Sequence, residues 1–153
     1  AVVLGAGGAS RAVVFGLVER GIEAIYVVNR TYEKAVEFVD RFGPSIKPAH
    51  WNEIPALLKS ADLIVNSTPL GMKGQLPLDI DISEMRDGAV VSDIIYVPLK
   101  TELLKAAEAR GFATSNGLDM LLHQAVRGFT EWFGIKPEVS KEQRDMLVAD
   151  LTG

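Results

Sequence analysis

The stretch that decides the fold reads AVVLGAGGASRA over residues 1–12. It begins with an apolar run rich in valine, which is typical of a short buried strand. The run stops at Gly5, and Gly7 and Gly8 follow closely. Small and apolar residues then recur with helical spacing, at positions 9, 12, 13, 16 and 17. A strand, a glycine turn and a helix in this order predict the first unit of an α/β domain.

The same alternation continues along the chain. Further strands are predicted at 24–28, 45–47, 62–66, 89–95 and 112–114, and helices at 31–42, 53–60, 101–110, 118–133 and 140–151. We therefore predict an α/β, Rossmann-like fold: a doubly wound, mostly parallel sheet of about six strands with helices on both faces. Trp132 and Phe133, in the last turns of one predicted helix, are interpreted as core residues.

Composition limits the class of protein. The 153 residues carry 16 Lys and Arg against 20 Asp and Glu, which fits one domain over 1–153 and argues against a nucleic-acid partner. The chain has no cysteine, so disulfides and thiol chemistry are excluded, and we predict no metal site. It shows neither a signal peptide nor an apolar run near the ~18 residues of a membrane span. We expect a cytoplasmic protein with no membrane partner.

The glycine turn has the arrangement that binds dinucleotide phosphates. Gly5 permits a tight turn, Gly7 lets the backbone approach a pyrophosphate, and a helix starting at Gly8 offers free N–H groups. Ser10 replaces the third glycine of the usual pattern, with Ala12 small enough for helix–strand packing. The predicted phosphate-binding residues are Gly5, Gly7, Gly8, Ala9 and Ser10. The alternative is a glycine turn used only for packing.

The end of the second predicted strand indicates which dinucleotide. NAD-binding domains usually place Asp or Glu there, whereas this chain has Asn29-Arg30-Thr31, followed by Lys34. Arg30 can pair with a 2′-phosphate, Lys34 shares its helix face at i+4, and Thr31 can donate its hydroxyl. We therefore predict NADP, bound by these four residues. The alternative is a solvated Arg and Lys at the start of a surface helix.

Several segments together resemble one known family, the shikimate dehydrogenases. The segments that carry the resemblance are 5–12, 29–31, 66–72, 93–98, 100–104 and 116–125. The resemblance spans essentially the whole chain but covers only the C-terminal, NADP-binding half of the family's chain. The first two segments also resemble the NADP domain of glutamyl-tRNA reductase, and the loop at 68–72 and the helix at 117–124 separate the two families.

The resemblance implies an oxidoreductase of aromatic amino acid biosynthesis, which reduces 3-dehydroshikimate to shikimate with NADPH. By resemblance, Thr68 and Ile94 flank the adenosine side, Gly117 and Met120 meet the nicotinamide end, and Tyr96 and Gln124 face the substrate. Gln124 offers both a donor and an acceptor to a polyhydroxylated ring, and its alternative is a helix-surface residue. The alternatives for the chain are a quinate/shikimate dehydrogenase of broader range, the glutamyl-tRNA reductase domain and a non-catalytic NADP-binding module.

Hydride transfer also needs a proton donor or acceptor. In the family, a Lys and Asp pair on the N-terminal substrate domain fills this role. No position of this chain corresponds to either residue of that pair. His123 is more often a structural or surface residue in this setting, and His50 has no partner pattern. We therefore expect no catalytic residue here: the fragment binds NADP without turnover and needs the missing domain as its partner. An apolar stripe on the terminal helix, around Met146, would favour self-association as a homodimer.

Overall fold

Six parallel strands form one sheet in a computed structural model that describes residues 1–152. The strands are β1 Val2–Leu4, β2 Ile25–Val28, β3 Ile46–Ala49, β4 Leu63–Asn66, β5 Val90–Asp93 and β6 Ala113–Ser115. Their order across the sheet is β3-β2-β1-β4-β5-β6. This is the doubly wound order, in which the connections run outward from β1 in both directions. The predicted fold class is therefore confirmed.

Six α-helices connect or follow the strands. They are α1 Gly8–Glu19, α2 Tyr32–Phe42, α3 Ile54–Leu58, α4 Glu102–Ala109, α5 Gly117–Phe133 and α6 Lys141–Thr152. The helix predicted at 53–60 is shorter, because a 3₁₀ turn over Trp51–Glu53 takes up its start. The strand predicted at 89–95 ends at Asp93, so residues 94 and 95 belong to the loop beyond it.

The core lies on both faces of the sheet because strand side chains alternate between them. On one face, Val3 packs with α1 and α2, whose buried residues there are Val14, Ala35 and Phe38. On the other face, Val2 and Leu4 pack with buried residues of α3 and α4, namely Ile54, Leu58, Leu103, Leu104 and Ala107. The strand core is therefore covered on both sides, as a parallel sheet requires.

The face that α1 turns inward differs from the prediction. Ser10 and Val14 are fully buried, whereas Ala12, expected to pack against the strands, is exposed. The side chain of Ser10 thus lies where that of Ala12 was expected, which means that α1 is rotated about its axis relative to the prediction. The apolar spacing along α1 fits both orientations almost equally well, so periodicity alone did not distinguish the two faces of the helix.

The interpretation of Trp132 and Phe133 as core residues is wrong. Their side chains are 80% and 62% exposed, and in α5 only Gly117 and Leu118 are buried. The helix leaves the sheet after its first turn, and an apolar groove of about 370 Å³ separates it from α6. On α6, Met146 is 64% exposed, as expected for the terminal stripe. Within residues 1–152, none of the helices has the length and apolar character needed to cross a bilayer.

Candidate functional site

The glycine turn after β1 has the backbone geometry of a phosphate cradle. Gly5 adopts a φ of +105°, which other residues rarely reach, and its N–H donates to the Val28 carbonyl at 2.7 Å. Gly7 caps α1 in an extended conformation, and the space beside Gly7 and Gly8 is open. Gly8 and Ala9 are the first two helical residues, whose N–H groups have no partner within the helix. The turn therefore offers donors toward open space.

A chain of hydrogen bonds inside the protein holds this turn in place. Ser67 Oγ donates its only proton to the Leu4 carbonyl at 2.6 Å, so Ser10 Oγ must donate across the 2.7 Å contact to Ser67 Oγ. Ser10 Oγ in turn accepts from the Gly7 N–H at 3.0 Å. Ser10 was predicted to bind phosphate, but its buried side chain is directed toward β4. It fixes the turn rather than lining the ligand face.

A cavity of about 320 Å³ lies beside the turn, at the carboxyl ends of β1, β2, β3 and β4. We call it the first cavity. Its lining residues are Ala6, Gly7, Asn29, Arg30, Thr31, Lys34, Trp51, Thr68, Pro69 and Leu70. The structure thus brings Gly7 of the glycine turn together with Asn29 and with the three residues predicted to bind a 2′-phosphate, Arg30, Thr31 and Lys34. Open parallel sheets bind their ligands at this edge.

The first cavity is electropositive on the side of α2. Arg30 and Lys34 are both exposed, and no ion pair joins either to an acidic side chain in the described part of the chain. Asn29 Nδ2 donates to the Thr31 carbonyl at 2.8 Å, which fixes the start of α2. Thr31 is the N-cap but makes no side-chain capping bond, so its hydroxyl remains available to a ligand. An anion with several oxygens can therefore meet two cations and a hydroxyl here.

A second cavity of about 310 Å³ lies on the other side of the loop after β4. Its lining residues are Ser67, Thr68, Pro69, Met72, Ile94, Ile95, Tyr96, Val97 and Met120. Only Thr68 and Pro69 border both cavities. Ile94, expected on the adenosine side, lies here with Met120 and Tyr96. The second cavity is mostly apolar and suits a flat, weakly polar ring.

Thr68 is placed at the boundary between the two cavities by its own hydrogen bonds. Its hydroxyl donates to Asn66 Oδ1 at 2.7 Å and accepts from the Leu70 N–H at 3.2 Å. Its proton is therefore not free for a ligand. The methyl group faces the turn, since a Cβ built on Gly5 would lie 3.2 Å from Thr68 Cγ2. Thr68 can thus contact a cofactor through its methyl group and backbone.

Six of the predicted site residues line neither cavity: Gly5, Gly8, Ala9 and Ser10 of the glycine turn, and Gly117 and Gln124 of α5. Gly117 is buried, and a Cβ at this position would lie 1.8 Å from the Ile94 carbonyl oxygen. It lets α5 begin directly against the end of β5, which brings Met120 into the second cavity. Gln124 is exposed one turn beyond Met120, on the same side of α5. It faces outward from the described part of the chain.

The two histidines do not form part of either cavity. His50 stacks on the ring of Tyr32, with centroids 4.1 Å apart and planes 14° apart, a contact that the sequence pattern did not indicate. His123 is exposed on α5. Tyr96 lines the second cavity and is 37% exposed. Within residues 1–152, no three His, Cys, Asp or Glu side chains are grouped so that they could hold a metal ion.

Trp51 is the main residue of the site that sequence reasoning missed. It follows β3, is half-buried against the core beneath the sheet, and lines the first cavity. Because β3 lies next to β2, the Trp51 ring comes close to Arg30 although the two are far apart in sequence. The available signal was the position of an aromatic residue just after a strand, at the edge where ligands bind. Met72 was also missed as a lining residue, although it belongs to the loop at 68–72 that carries part of the family resemblance.

Two family models match the chain. The model described as Shikimate / quinate 5-dehydrogenase matches residues 1–72, and that of the Shikimate 5'-dehydrogenase C-terminal domain matches residues 117–141. Among curated relatives, the NADP(+) shikimate dehydrogenase of Rhodopseudomonas palustris (strain TIE-1) is 59% identical over 151 residues, 99% of this chain and 54% of the relative. That of Nitrobacter winogradskyi is also 59% identical, with the same coverage. The chain thus spans about half the length of the curated relatives it matches.

Solved structures agree with these matches. The quinate dehydrogenase of Corynebacterium glutamicum, in complex with NAD, has a TM-score of 0.89 and 32% identity, and covers 97% of this chain and 54% of its own. The shikimate 5-dehydrogenase of Thermus thermophilus, in complex with NADP(H) and shikimate, has a TM-score of 0.77 and 31% identity. It covers 98% of this chain and 54% of its own.

Proposed function

This chain belongs to the shikimate dehydrogenase family, and we propose that it is the NADP-binding half of an enzyme that reduces 3-dehydroshikimate to shikimate. One observation carries the proposal: a single cavity joins the glycine turn at Gly7 to the unpaired cations Arg30 and Lys34. Family membership leaves the glutamyl-tRNA reductase alternative without support.

The residues of the first cavity fit the adenosine half of NADP. The turn can hold the pyrophosphate with the backbone N–H groups of Gly8 and Ala9, and the open space beside Gly7 and Gly8 leaves room for the phosphate oxygens. Arg30, Thr31 and Lys34 can then surround the 2′-phosphate. Trp51 offers an aromatic wall near Arg30 on which the adenine can rest. No acidic residue lines this cavity, so nothing in its lining repels a dianion.

The second cavity fits the nicotinamide half. When bound, NADPH supplies the hydride for the reduction. The chain's own residues orient the ring and exclude water: Met72, Ile94 and Met120 provide apolar walls, and Tyr96 places a hydroxyl at the cavity. This arrangement supports the assignment of Tyr96 to the substrate side. Gln124 lies one turn beyond Met120 and is exposed. It can therefore contact a polyhydroxylated substrate that binds on the open side of α5.

We propose that the proton that accompanies hydride transfer comes from outside this chain. Neither cavity is lined by a His, Asp or Glu, and the second is lined by no Lys. We therefore propose that the acid–base pair lies on a further part of the protein that would correspond to the half of the relatives outside the match. The cytoplasmic location and homodimer expected from the sequence stay predictions.

A broader quinate/shikimate dehydrogenase is the second candidate. One family model names both substrates, and the Corynebacterium glutamicum quinate dehydrogenase has the same fold. That structure contains NAD, whereas Arg30 and Lys34 favour a 2′-phosphate here. The nucleotide preference of the chain therefore discriminates between an NAD-dependent quinate enzyme and the proposed one.

Binding and turnover assays on the purified chain test the proposal together. Calorimetry is expected to show NADPH binding more tightly than NADH, and the chain alone is expected not to oxidise NADPH when 3-dehydroshikimate is added. Tighter binding of NADH would favour the NAD-dependent alternative. Turnover by the isolated chain would contradict the claim that the acid–base groups lie elsewhere.

A further inference from the structure

A buried carboxylate lies behind the second cavity and has no part in the chemistry described above. Asp93, the last residue of β5, is 1% exposed. Its Oδ1 accepts from Asn66 Nδ2 at 3.0 Å and from the Ile95 N–H at 3.1 Å, and its Oδ2 accepts from Thr101 Oγ1 at 2.8 Å. Burial raises the pKa of Asp93 above its ordinary value of 3.8, and the three hydrogen bonds oppose this rise.

The three donors belong to three different segments of the chain. Asn66 ends β4, Ile95 follows β5, and Thr101 caps α4. The segments that continue from β4 and β5, residues 67–72 and 94–97, provide all but one of the residues that line the second cavity. The Asp93 carboxylate therefore lies at the point where both walls of the second cavity begin.

Asn66 transmits the orientation of the carboxylate to the loop after β4. Its Nδ2 donates to Asp93 and, at 3.1 Å, to the Leu70 carbonyl. Its Oδ1 is thereby turned to accept from the N–H and hydroxyl of Thr68 at 3.0 and 2.7 Å. The Asp93 carboxylate, the Leu70 carbonyl and the Thr68 N–H all favour this orientation, because the reversed amide would set a donor against the Thr68 N–H and an acceptor against both other groups.

We propose that Asp93 is a positioning residue that sets the nicotinamide side of the cofactor site. Asp93 is 1% exposed and does not line the second cavity, so it acts on that cavity through Asn66, Ile95 and Thr101. The cavity that Asp93 and Thr101 do line is a separate one of about 210 Å³ at the start of α4. The network reaches the first cavity only through Thr68 and Leu70, and the cations and the aromatic residue of that cavity, Arg30, Lys34 and Trp51, follow β2 and β3 and have no hydrogen bond to the network in the described residues. Loss of the network should therefore weaken the nicotinamide contacts more than the adenosine contacts. The inference rests on the proposed function.

Two nucleotides separate the two halves of the site. NADPH occupies both, and 2′,5′-ADP carries only the adenosine half with its 2′-phosphate. The measured quantity is the ratio of their dissociation constants on the purified chain, by calorimetry. Wild type is expected to bind NADPH more tightly. Asp93→Leu is expected to reduce this advantage by about tenfold, or about 1.4 kcal/mol, mainly by weakening NADPH.

A matched pair at Thr101 keeps the test valid if Asp93→Leu does not fold. Thr101 lines neither cavity, and Thr101→Val removes its hydrogen bond to Asp93, whereas Thr101→Ser retains the hydroxyl. The valine variant is expected to reduce the advantage of NADPH by about threefold, and the serine variant to leave it unchanged. Circular dichroism checks the fold, and the emission of bound NADPH reports the surroundings of its ring.

Each outcome bears on the inference. A smaller NADPH advantage in Asp93→Leu and Thr101→Val, but not in Thr101→Ser, supports it. An unchanged ratio overturns it, whether both affinities fall together or neither changes, and so does a wild-type chain that binds the two nucleotides equally. A wild-type chain that binds neither contradicts the proposed function, and this inference with it.

Discussion

The two cavities on either side of Thr68 are built in different ways. The first is lined mainly by residues that directly follow β1 and β2, joined by Trp51 after β3 and by the loop after β4, and its positive charge comes from Arg30 and Lys34 at the start of α2. The second is lined mostly by apolar residues from three separate segments: the loops after β4 and β5, and the start of α5. Local sequence thus specifies the glycine turn and the cations of the adenosine side, whereas the nicotinamide side depends on packing between distant segments throughout.

Gly117→Ala is expected to have the largest effect, because it disrupts the packing between segments on which the nicotinamide side depends. A Cβ at position 117 would lie 1.8 Å from the Ile94 carbonyl oxygen, so α5 must move away from β5. We expect a loss of roughly 3 kcal/mol or more in unfolding free energy, measured in urea, because the clash is with backbone. Gly128→Ala in the same helix is the control, with a gain of up to about 1 kcal/mol from helix propensity. Equal stability of the two variants would contradict this packing role.

Ser10→Ala should have the next largest effect, this time at the turn of the first cavity. The substitution leaves the Gly7 N–H without its side-chain acceptor and removes the hydrogen bond to Ser67. We expect a loss of about 2 kcal/mol in unfolding free energy. A double-mutant cycle with Ser67→Ala should give a coupling energy of at least about 0.5 kcal/mol. Strict additivity would show that the two hydroxyls act independently.

Trp51→Ala should weaken nucleotide binding without changing the choice of nucleotide. Adenine is common to NADP and NAD, so both affinities are expected to fall by about 1 kcal/mol, with Trp51→Phe retaining most of the binding. Calorimetry with both nucleotides measures this. In a Trp132→Phe background, Trp51 is the only tryptophan, and nucleotide binding should quench its emission. A loss confined to NADP would place Trp51 at the 2′-phosphate instead.

The smallest effect expected is a pH dependence of stability that comes from Asp93. Its pKa is raised in the folded state, so the folded protein binds the proton more tightly than the unfolded chain does. The contribution of Asp93 to the unfolding free energy is therefore greatest at pH values below its ordinary pKa of 3.8, and it falls as the pH rises through the pKa of the folded state. The unfolding free energy of Asp93→Asn minus that of wild type should increase over this range. A difference that decreases with pH would indicate a lowered pKa.

The sequence was sufficient to predict features that depend on neighbours along the chain. The order of strands and helices followed from periodicity, and the glycine turn and the Arg30–Lys34 pair followed from their positions after β1 and β2. The turn and residues 29–34 provide six of the ten residues that line the first cavity. They were predictable because the carboxyl ends of parallel strands meet at one edge.

Features that depend on distant segments were not predictable in the same way. Whether Ser10 or Ala12 packs inward depends on how α1 rotates on the sheet, and the hydrogen bond to Ser67 comes from 57 residues away. Trp51 reaches the first cavity because β3 pairs with β2. Trp132 has the spacing of a core residue but lies where α5 has left the sheet, and periodicity does not show whether another element covers a helix face.

The most direct test of the central claim is the nucleotide selectivity of Arg30→Ala. Calorimetry with NADP and NAD on wild type and variant gives four affinities. The account predicts that NADP binding falls by about 1.5–3 kcal/mol, the range for a hydrogen bond to a charged group, while NAD binding changes little. Equal losses for the two nucleotides would contradict the assignment of the first cavity to the 2′-phosphate.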